Sequence, residues 1–341
     1  MTELFRNVNA SSARFFFHSF PRRREDESRN TQIEKGSRIA KSILDNGLLL
    51  APENYDLPVI GNDGSTADSF TAVQRRICFT ELEPEALEGH SQVFGPFALA
   101  YRIEDLRRIG ALPVFYIPLE SGGYLSRLPI EMLGGLIDAH RIAGTLLRVQ
   151  TQLSQSPALG LKYREKEINF TPEQADVIRK FLNTLIDSAA TNLDMTDARL
   201  RTMASCFYPT ENPKYTDRLH YYRQREWRVV AGPFTYNGEL CSRVATSQQA
   251  QMLLEIDRDF FSKRLSFFDA AAKLGEKVSD TIANRCHFLQ RIGDLDVVAL
   301  ARCLVIPDDA AETSQLEQLY RERGVDVIRQ SDVAKLALLP S

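Results

Sequence analysis

Short runs of residues that are apolar on both faces predict buried β-strands. Residues 14–20 (RFFFHSF) place aromatic side chains on both faces of a strand, and residues 112–118 (LPVFYIP) are likewise apolar on both. Strands of that kind are typical of the interior of a sheet, so we expect 112–118 to be a central strand. Other segments with strand patterns are 76–80, 94–101, 224–230, 300–306 and 325–328.

Between these strands, apolar residues repeat at the helical period and capping signals mark where helices begin. At four of the predicted helix starts a Ser or Thr is followed three residues later by Glu or Gln, which is the pattern of a capping box. The four pairs are Thr31 with Glu34, Thr171 with Gln174, Thr246 with Gln249 and Ser314 with Glu317. We expect the first of these helices to end at Gly47, since glycine readily adopts the left-handed conformation that follows a helix.

Two longer segments differ from the rest in composition. Residues 52–71 are rich in Pro, Gly, Asn, Asp and Ser, which predicts a long surface loop. Residues 125–205 lose the strand pattern and look helical. We therefore expect an α+β fold with a mixed sheet, in which residues 1–124 form the N-terminal part of the core, residues 125–205 a helical insertion, and residues 206–341 the C-terminal part of the core with additional helices.

Composition and charge restrict the class of protein. Of 341 residues, 43% are hydrophobic and 26% are charged, which excludes a mainly disordered or coiled-coil chain. The net charge of −3 gives no global positive field that would attract nucleic acid. Five scattered cysteines without a CxxC pair favour reduced thiols. We find no secretory signal and no apolar run near the roughly 18 residues of a membrane helix, so we expect a cytoplasmic protein.

Common catalytic motifs are missing from the sequence. It contains no GxxxxGK[ST], no GxGxxG after a strand, no GxSxG and no HExxH. Its five histidines are never spaced three or four residues apart, so we expect no metal site.

Two residues nevertheless merit attention as candidates for chemistry. His18 lies among aromatic residues on the first strand, where a buried imidazole would need partners for both ring nitrogens; the alternative is an ordinary core histidine. Glu226 would share a strand face with Gln224 and Arg228, while Trp227 anchors the opposite face in the core. The alternative for Glu226 is a surface ion pair with Arg228 along the strand.

The order of several segments resembles the AbiGi-type abortive-infection proteins of bacteria and archaea. The resemblance covers about residues 14–118 and 220–230, with a further match at 300–330. Its segments are FHSF, ILDNGLLL, ICFTELE, HSQVFGPFALAY, IEDLRRIGALPVFYIP and REWRVV. The family carries an antitoxin label in phage-resistance systems, so the resemblance implies a part in phage defence and a partner protein from a defence operon.

The layout of that family also resembles the ADP-ribosyltransferase fold. Enzymes with this fold break the bond between nicotinamide and ribose in NAD. This likeness implies that Glu226 is the catalytic residue, with Gln224 two residues before it, and that His18 binds a ribose hydroxyl. Arg102 or Arg228 would bind the pyrophosphate. Tyr101 would form the aromatic wall, although Phe97 and Tyr116 are alternatives that spacing does not exclude. NAD would then be a substrate, and no metal is required.

Two functions follow from the resemblance. The first is an NAD-dependent ADP-ribosyltransferase-like effector or toxin, which labels a protein or nucleic-acid acceptor. The second is a non-catalytic antitoxin or regulator that binds a partner protein or a nucleotide. The first requires His18 and Glu226 to line one cavity, whereas the second predicts both side chains within a buried hydrogen-bond network. A metal-dependent nuclease is disfavoured by the lack of a carboxylate and histidine cluster.

Overall fold

The structure is a computed structural model that describes most of the chain. The described residues are 14–24, 26–60, 66–117, 128–155, 159–163, 166–188, 192–209, 225–232, 235–236, 239–262, 265, 278–311 and 313–338. The helices are α1 (Arg29–Asn46), α2 (Leu87–Phe94), α3 (Ile103–Arg108), α4 (Leu128–Gln155), α5 (Pro172–Ser188), α6 (Leu193–Ala204), α7 (Ser247–Ser262), α8 (Val278–Ala283) and α9 (Ser314–Glu322).

Strands and helices alternate irregularly along the chain, which confirms the α+β class. The longer strands are β1 (Phe15–Phe20), β2 (Leu48–Ile60), β3 (Thr66–Leu82) and β4 (Phe97–Tyr101). The others, in chain order, are β5 (Leu112–Pro113), β6 (Phe115–Ile117), β7 (Leu159–Tyr163), β8 (Lys166–Phe170), β9 (Phe207–Pro209), β10 (Glu226–Val230), β11 (Thr235–Tyr236), β12 (Glu239–Leu240), β13 (Arg243–Val244), β14 (His287–Leu289), β15 (Arg291–Ile292), β16 (Leu295–Asp296), β17 (Cys303–Ile306) and β18 (Asp326–Arg329).

The centre of the fold is a mixed sheet that combines strands from both ends of the chain. Counted over the described residues, it has ten strands in the order β13-β14-β2-β3-β1-β4-β17-β18, with β10 beside β3 and β5 beside β10. The pair β17 and β18 is parallel and is connected through α9, whereas β1, β4 and β10 pair antiparallel with their neighbours. β1 therefore lies between β3 and β4, in the interior of the sheet.

The aromatic residues of β1 explain why this strand is central. Phe16 and Phe20 belong to a core that includes residues of α1 and α9. Phe15 and Phe17 belong to a second core on the other face, together with residues of the 3₁₀ segment Gln330–Leu338. Burial of these four apolar side chains on both faces stabilises the strand, in which only His18 and Ser19 are partly exposed. The prediction of a two-sided buried strand at 14–20 is confirmed.

Several helix boundaries are confirmed by their capping contacts. The Thr171 amide donates to Oε1 of Gln174 at 3.0 Å, and the Gln174 amide donates to Oγ1 of Thr171 at 3.3 Å. Thr246 and Gln249 form the same reciprocal pair. Gly47 follows α1 with a φ of 87°. The sequence pattern places the N-cap of α1 at Thr31, three residues too late. The N-cap is Ser28, whose hydroxyl accepts a hydrogen bond from the Thr31 amide.

One loop prediction and one strand prediction are wrong. Of the segment 52–71, expected to be a loop, residues 52–60 belong to β2 and residues 66–71 to β3, while residues 61–65 lie outside the described residues. The segment 112–118, expected to be a central strand, is divided between the two short strands β5 and β6, where Leu112 is 52% and Phe115 55% exposed. β5 lies at an edge of the sheet, because its only described partner is β10.

The chain divides into two compact units. The first consists of Met1–Tyr55, Val73–Tyr116 and Thr210–Ser341, and the second of Asp56–Ala72 and Ile117–Pro209. The boundaries predicted at 124/125 and 205/206 stay a prediction. The second unit contains α4, α5 and α6 but also the antiparallel hairpin of β7 and β8, which the helical pattern of 125–205 did not indicate.

The second unit has a small core of its own, formed where α4 and α5 pack together. Val149 and Leu153 of α4 contact Ala175 and Leu182 of α5 there. None of the helices in the described part of the chain is long and apolar enough to cross a membrane.

Candidate functional site

Strand register determines which way the Glu226 side chain points. β10 pairs antiparallel with β3 so that Glu226 is opposite Thr80 and Arg228 is opposite Cys78. Residues directly opposite one another present their side chains on the same face of a sheet, so these four side chains share one face. Trp227 lies on the other face, where its ring meets that of Phe16 at a centroid distance of 5.5 Å. The predicted alternation of the EWRVV strand is thus confirmed.

Glu226 and Arg228 form a buried ion pair instead of a surface one. Arg228 is 1% exposed and Glu226 9% exposed. The Nε atom of Arg228 donates to Oε1 of Glu226 at 2.7 Å, and the Tyr116 hydroxyl donates to Oε2 at 3.1 Å. Both carboxylate oxygens are therefore engaged by groups of this chain.

Electrostatics explain why this carboxylate is ionised. Burial raises the pKa of Glu226, but the charges of Arg228 and Arg76, the Arg228 hydrogen bond and the Cys78 thiol outweigh that influence, so its pKa lies below the usual value. Burial raises the pKa of the Cys78 thiol to about 12, and the negative charge of Glu226 adds to the effect. The thiol therefore stays protonated at neutral pH, which excludes Cys78 as a thiolate nucleophile.

A line of polar side chains continues from this pair along β3. Thr80, Cys78, Arg76 and Gln74 follow one another at every second position and so lie on one face. Arg76 donates to the Gln74 side chain, and its Nη2 donates to Oε2 of Glu53 on β2 at 2.8 Å. We call these residues, together with Glu226, Arg228 and Tyr116, the polar stripe. Hydrogen bonds join Arg76 to Gln74 and Glu53 in one part of it, and Tyr116 and Arg228 to Glu226 in the other.

His18 lies on the opposite face of the sheet. The pairing of β1 with β3 ends where Phe17 is opposite Thr80, so the next residue turns its side chain away from Glu226. Its ring lies 5.8 Å from the rings of both Phe20 and Phe79. Nδ1 of His18 donates to the Cys78 carbonyl at 2.9 Å, an acceptor that fixes the proton on this nitrogen. Burial lowers the pKa of His18 to about 4, so the imidazole is neutral at pH 7.

A second histidine, which the sequence did not single out, lies on the Glu226 face. The Nδ1 atom of His90 is 3.2 Å from the Ser19 hydroxyl, and its Nε2 atom is 3.2 Å from the Thr80 hydroxyl. Its ring stacks on Phe94 with centroids 4.3 Å apart. Burial, and then the nearby His18, lower the pKa of His90 to about 4. Both ring nitrogens are thus satisfied by hydroxyl groups, as in a structural histidine.

The remaining residues predicted for a nucleotide site are dispersed. Tyr101 is fully buried, and its hydroxyl donates to the Val297 carbonyl at 3.3 Å. Arg102 precedes α3, where its carbonyl accepts the Leu106 amide. Gln224 lies outside the described residues. Of the predicted set, the structure brings together Glu226 and Arg228, with Tyr116 as the adjacent aromatic residue.

Three cavities lined by described residues have volumes of about 550, 470 and 280 Å³, and neither His18 nor Glu226 lines any of these three. No group of three or more His, Cys, Asp or Glu side chains in the described part of the chain is placed to hold a metal ion.

The two half-buried histidines, His18 and His90, predict a loss of stability in acid. Since the folded pKa of His18 and of His90 is about 4 and the ordinary value is 6.5, the unfolded chain binds protons first as the pH falls. Their contribution to stability is complete above pH 6.5 and is lost between pH 6.5 and 4. At pH 5 the loss is on the order of 2 kcal/mol for each histidine. The lowered pKa of Glu226 acts in the same direction at lower pH.

Urea unfolding at pH 7, 6 and 5 measures this dependence. His90→Gln keeps hydrogen-bonding capacity toward Ser19 and Thr80 but cannot take up a proton, so the variant should lose less stability between pH 7 and pH 5 than the wild type. An unfolding free energy that does not change between pH 7 and pH 5 would contradict the prediction.

Comparison with known proteins adds one finding. A family model described as "Putative abortive phage resistance protein AbiGi, antitoxin" matches residues 67–252, which is more than half of the chain. No curated protein and no solved structure matches the chain. The matched region contains Glu226 and Arg228 but not His18. These comparisons give no support to the likeness to ADP-ribosyltransferases.

Proposed function

The chain belongs to the AbiGi family of abortive-infection proteins, and we propose that it acts as an antitoxin in phage defence. In this proposal it binds a toxic partner protein from the same defence operon and restrains it in uninfected cells. It does not itself transfer ADP-ribose or hydrolyse NAD. The description of the family favours this function over that of a toxin.

The closed network around Glu226 is the observation that carries the non-catalytic part of the proposal. A carboxylate that stabilises a positively charged ribose in a transition state must face the substrate. Here Arg228 and Tyr116 take both oxygens of Glu226, and the arginine is 1% exposed. Arg228 therefore neutralises the negative charge of Glu226 that would have to stabilise a ribosyl cation. We assign the ion pair a structural function.

The position of His18 supports the same conclusion. A histidine that holds ribose would have to reach the same ligand as Glu226. The sheet separates the two side chains, and the Nδ1 proton of His18 is donated to a backbone carbonyl. The second function that the sequence allowed, with both residues in buried hydrogen-bond networks, fits this geometry better.

Growth of cells carrying parts of the native locus tests the proposal. Deleting the gene of this chain alone, with its neighbours intact, should arrest growth, whereas deleting the whole locus should be tolerated and should abolish phage resistance. Supplying the chain from a plasmid should restore growth to the single deletion. Growth arrest caused by expression of this chain by itself would instead identify it as the toxin.

Purified protein incubated with NAD provides the chemical arm of the test. We expect no release of nicotinamide above the blank for the wild type or for Glu226→Gln. Release by the wild type that Glu226→Gln abolishes would overturn the proposal in favour of the NAD-consuming effector.

A further inference from the structure

A cavity of about 470 Å³ in the first unit lies away from the polar stripe. Its walls come from the end of α1, the edge strand β13, the start of α7, and the turn from β14 into β15. A volume of this size is within the range of roughly 300–1,000 Å³ that small-molecule sites occupy.

One wall of this cavity is a set of side-chain amides held in place by hydrogen bonds. Nε2 of Gln249 donates to Oδ1 of Asn46 at 2.7 Å, and Oε1 of Gln249 accepts the Thr246 amide at 2.9 Å. Nε2 of Gln290 donates to the Asp45 carbonyl at 3.3 Å. These contacts join α1 to α7 and to the end of β14. A primary amide has two donor hydrogens and two acceptor lone pairs, so these side chains keep capacity beyond the contacts named, which can bind a hydroxyl group or the edge of a base.

The other wall carries two arginines, Arg243 and Arg291. Both of these side chains are exposed and line the cavity. No described carboxylate forms an ion pair with Arg243 or with Arg291, whose Nη2 donates only to the Asp294 carbonyl at 3.1 Å. Asp45 is the one acidic residue of the lining, so the cavity wall has a net positive charge.

A phosphate is the anion that suits these groups. Guanidinium groups bind phosphate oxygens in pairs of parallel hydrogen bonds. Thr246, the residue before α7, also lines this cavity, so the partial positive charge of the helix N-terminus lies beside it. The arginines and the helix N-terminus would account for the phosphate alone. The rest of the cavity is bordered by the side-chain amides and is left for the remainder of the ligand.

We propose that this cavity binds a phosphorylated small molecule of about mononucleotide size. Arg243 and Arg291 hold the phosphate, and the amides of Asn46, Gln249 and Gln290 face the sugar or base. The inference does not depend on the antitoxin function, since it uses a different part of the first unit.

Isothermal titration of the purified full chain tests the proposal with defined probes. The probes are the four ribonucleoside 5′-monophosphates, ribose 5-phosphate, adenosine and inorganic phosphate, at one fixed ionic strength. We expect saturable binding of a mononucleotide or of ribose 5-phosphate, with adenosine and inorganic phosphate at least ten-fold weaker. The phosphorylated probe that binds most tightly identifies whether the ligand is a nucleotide or a sugar phosphate.

The double variant Arg243→Gln with Arg291→Gln should weaken that binding at least ten-fold. Both side chains are exposed, so the variant should keep the thermal unfolding midpoint of the wild type. Arg321→Gln on α9, which lies outside this cavity, serves as the matched control and should leave the affinity unchanged. Absence of saturable binding by every phosphorylated probe, unchanged affinity in the double variant, or inorganic phosphate binding as tightly as the best probe would each overturn the proposal.

Discussion

Replacing Arg228 by methionine should lower the free energy of unfolding by roughly 3–5 kcal/mol. The substitution leaves the Glu226 carboxylate buried at 9% exposure and removes the donor that now lies 2.7 Å from its Oε1 atom. A buried charge without its partner costs far more than the ion pair itself contributes. Urea or thermal unfolding of the purified variant measures the loss.

A double-mutant cycle separates the pair from its environment. Replacing both residues, with Glu226→Leu and Arg228→Met together, removes both charges and keeps most of the volume. We expect this double variant to be more stable than Arg228→Met alone, since no unpaired charge is left. A loss below about 1 kcal/mol for Arg228→Met would mean that water reaches the carboxylate and that the site is more open than a structural pair requires.

Local signals predicted the helices of this fold well. The capping boxes at Thr171 and Thr246 form the reciprocal hydrogen bonds that their sequences indicate, because all the partners lie within one helical turn. The same holds for the alternation of EWRVV, which follows from the period of a strand. These features depend only on residues close together in the chain.

Features that depend on distant residues were not predicted. The residues of 52–60 and 66–71 look like a loop by composition, yet they extend the ladder of β2 and β3, because pairing between long strands outweighs weak local preferences. Conversely, 112–118 has the apolar pattern of a central strand but lies at an edge, where Leu112 and Phe115 stay exposed. The amino-acid pattern of a strand does not determine which other strands will pair with it in the sheet.

The candidate site also depends on contacts between distant residues, which the sequence pattern does not predict. His18 and Glu226 were expected to meet, and they do lie on strands that flank β3. Their faces are set by register, since Phe17 and Glu226 are both opposite Thr80. A shift of one residue in β1 would have moved His18 to the Glu226 face. No sequence pattern in the single chain fixes that register, and none indicated that His90 would contact Thr80.

Gly95, which lies between α2 and β4, should not tolerate a larger residue without a loss of stability. It has a φ of 124°, a conformation that residues with a side chain rarely adopt, and a Cβ atom built there would lie 2.1 Å from the Pro21 carbonyl oxygen. Backbone strain and overpacking each cost about 1–3 kcal/mol. We therefore expect Gly95→Ala to destabilise the protein by at least about 3 kcal/mol, measured by urea unfolding.

Gly89 provides the matched control for this substitution, because it lies six residues earlier, in the exposed part of α2, with nothing within 4 Å of a built Cβ atom. Alanine favours a helix over glycine by about 0.5–1 kcal/mol, so Gly89→Ala should be neutral or stabilising. Opposite signs of the stability change at Gly95 and Gly89 would show that the turn into β4 is fixed by contact with the end of β1. Equal effects of the two substitutions would contradict that contact and, with it, the position of β4 beside β1.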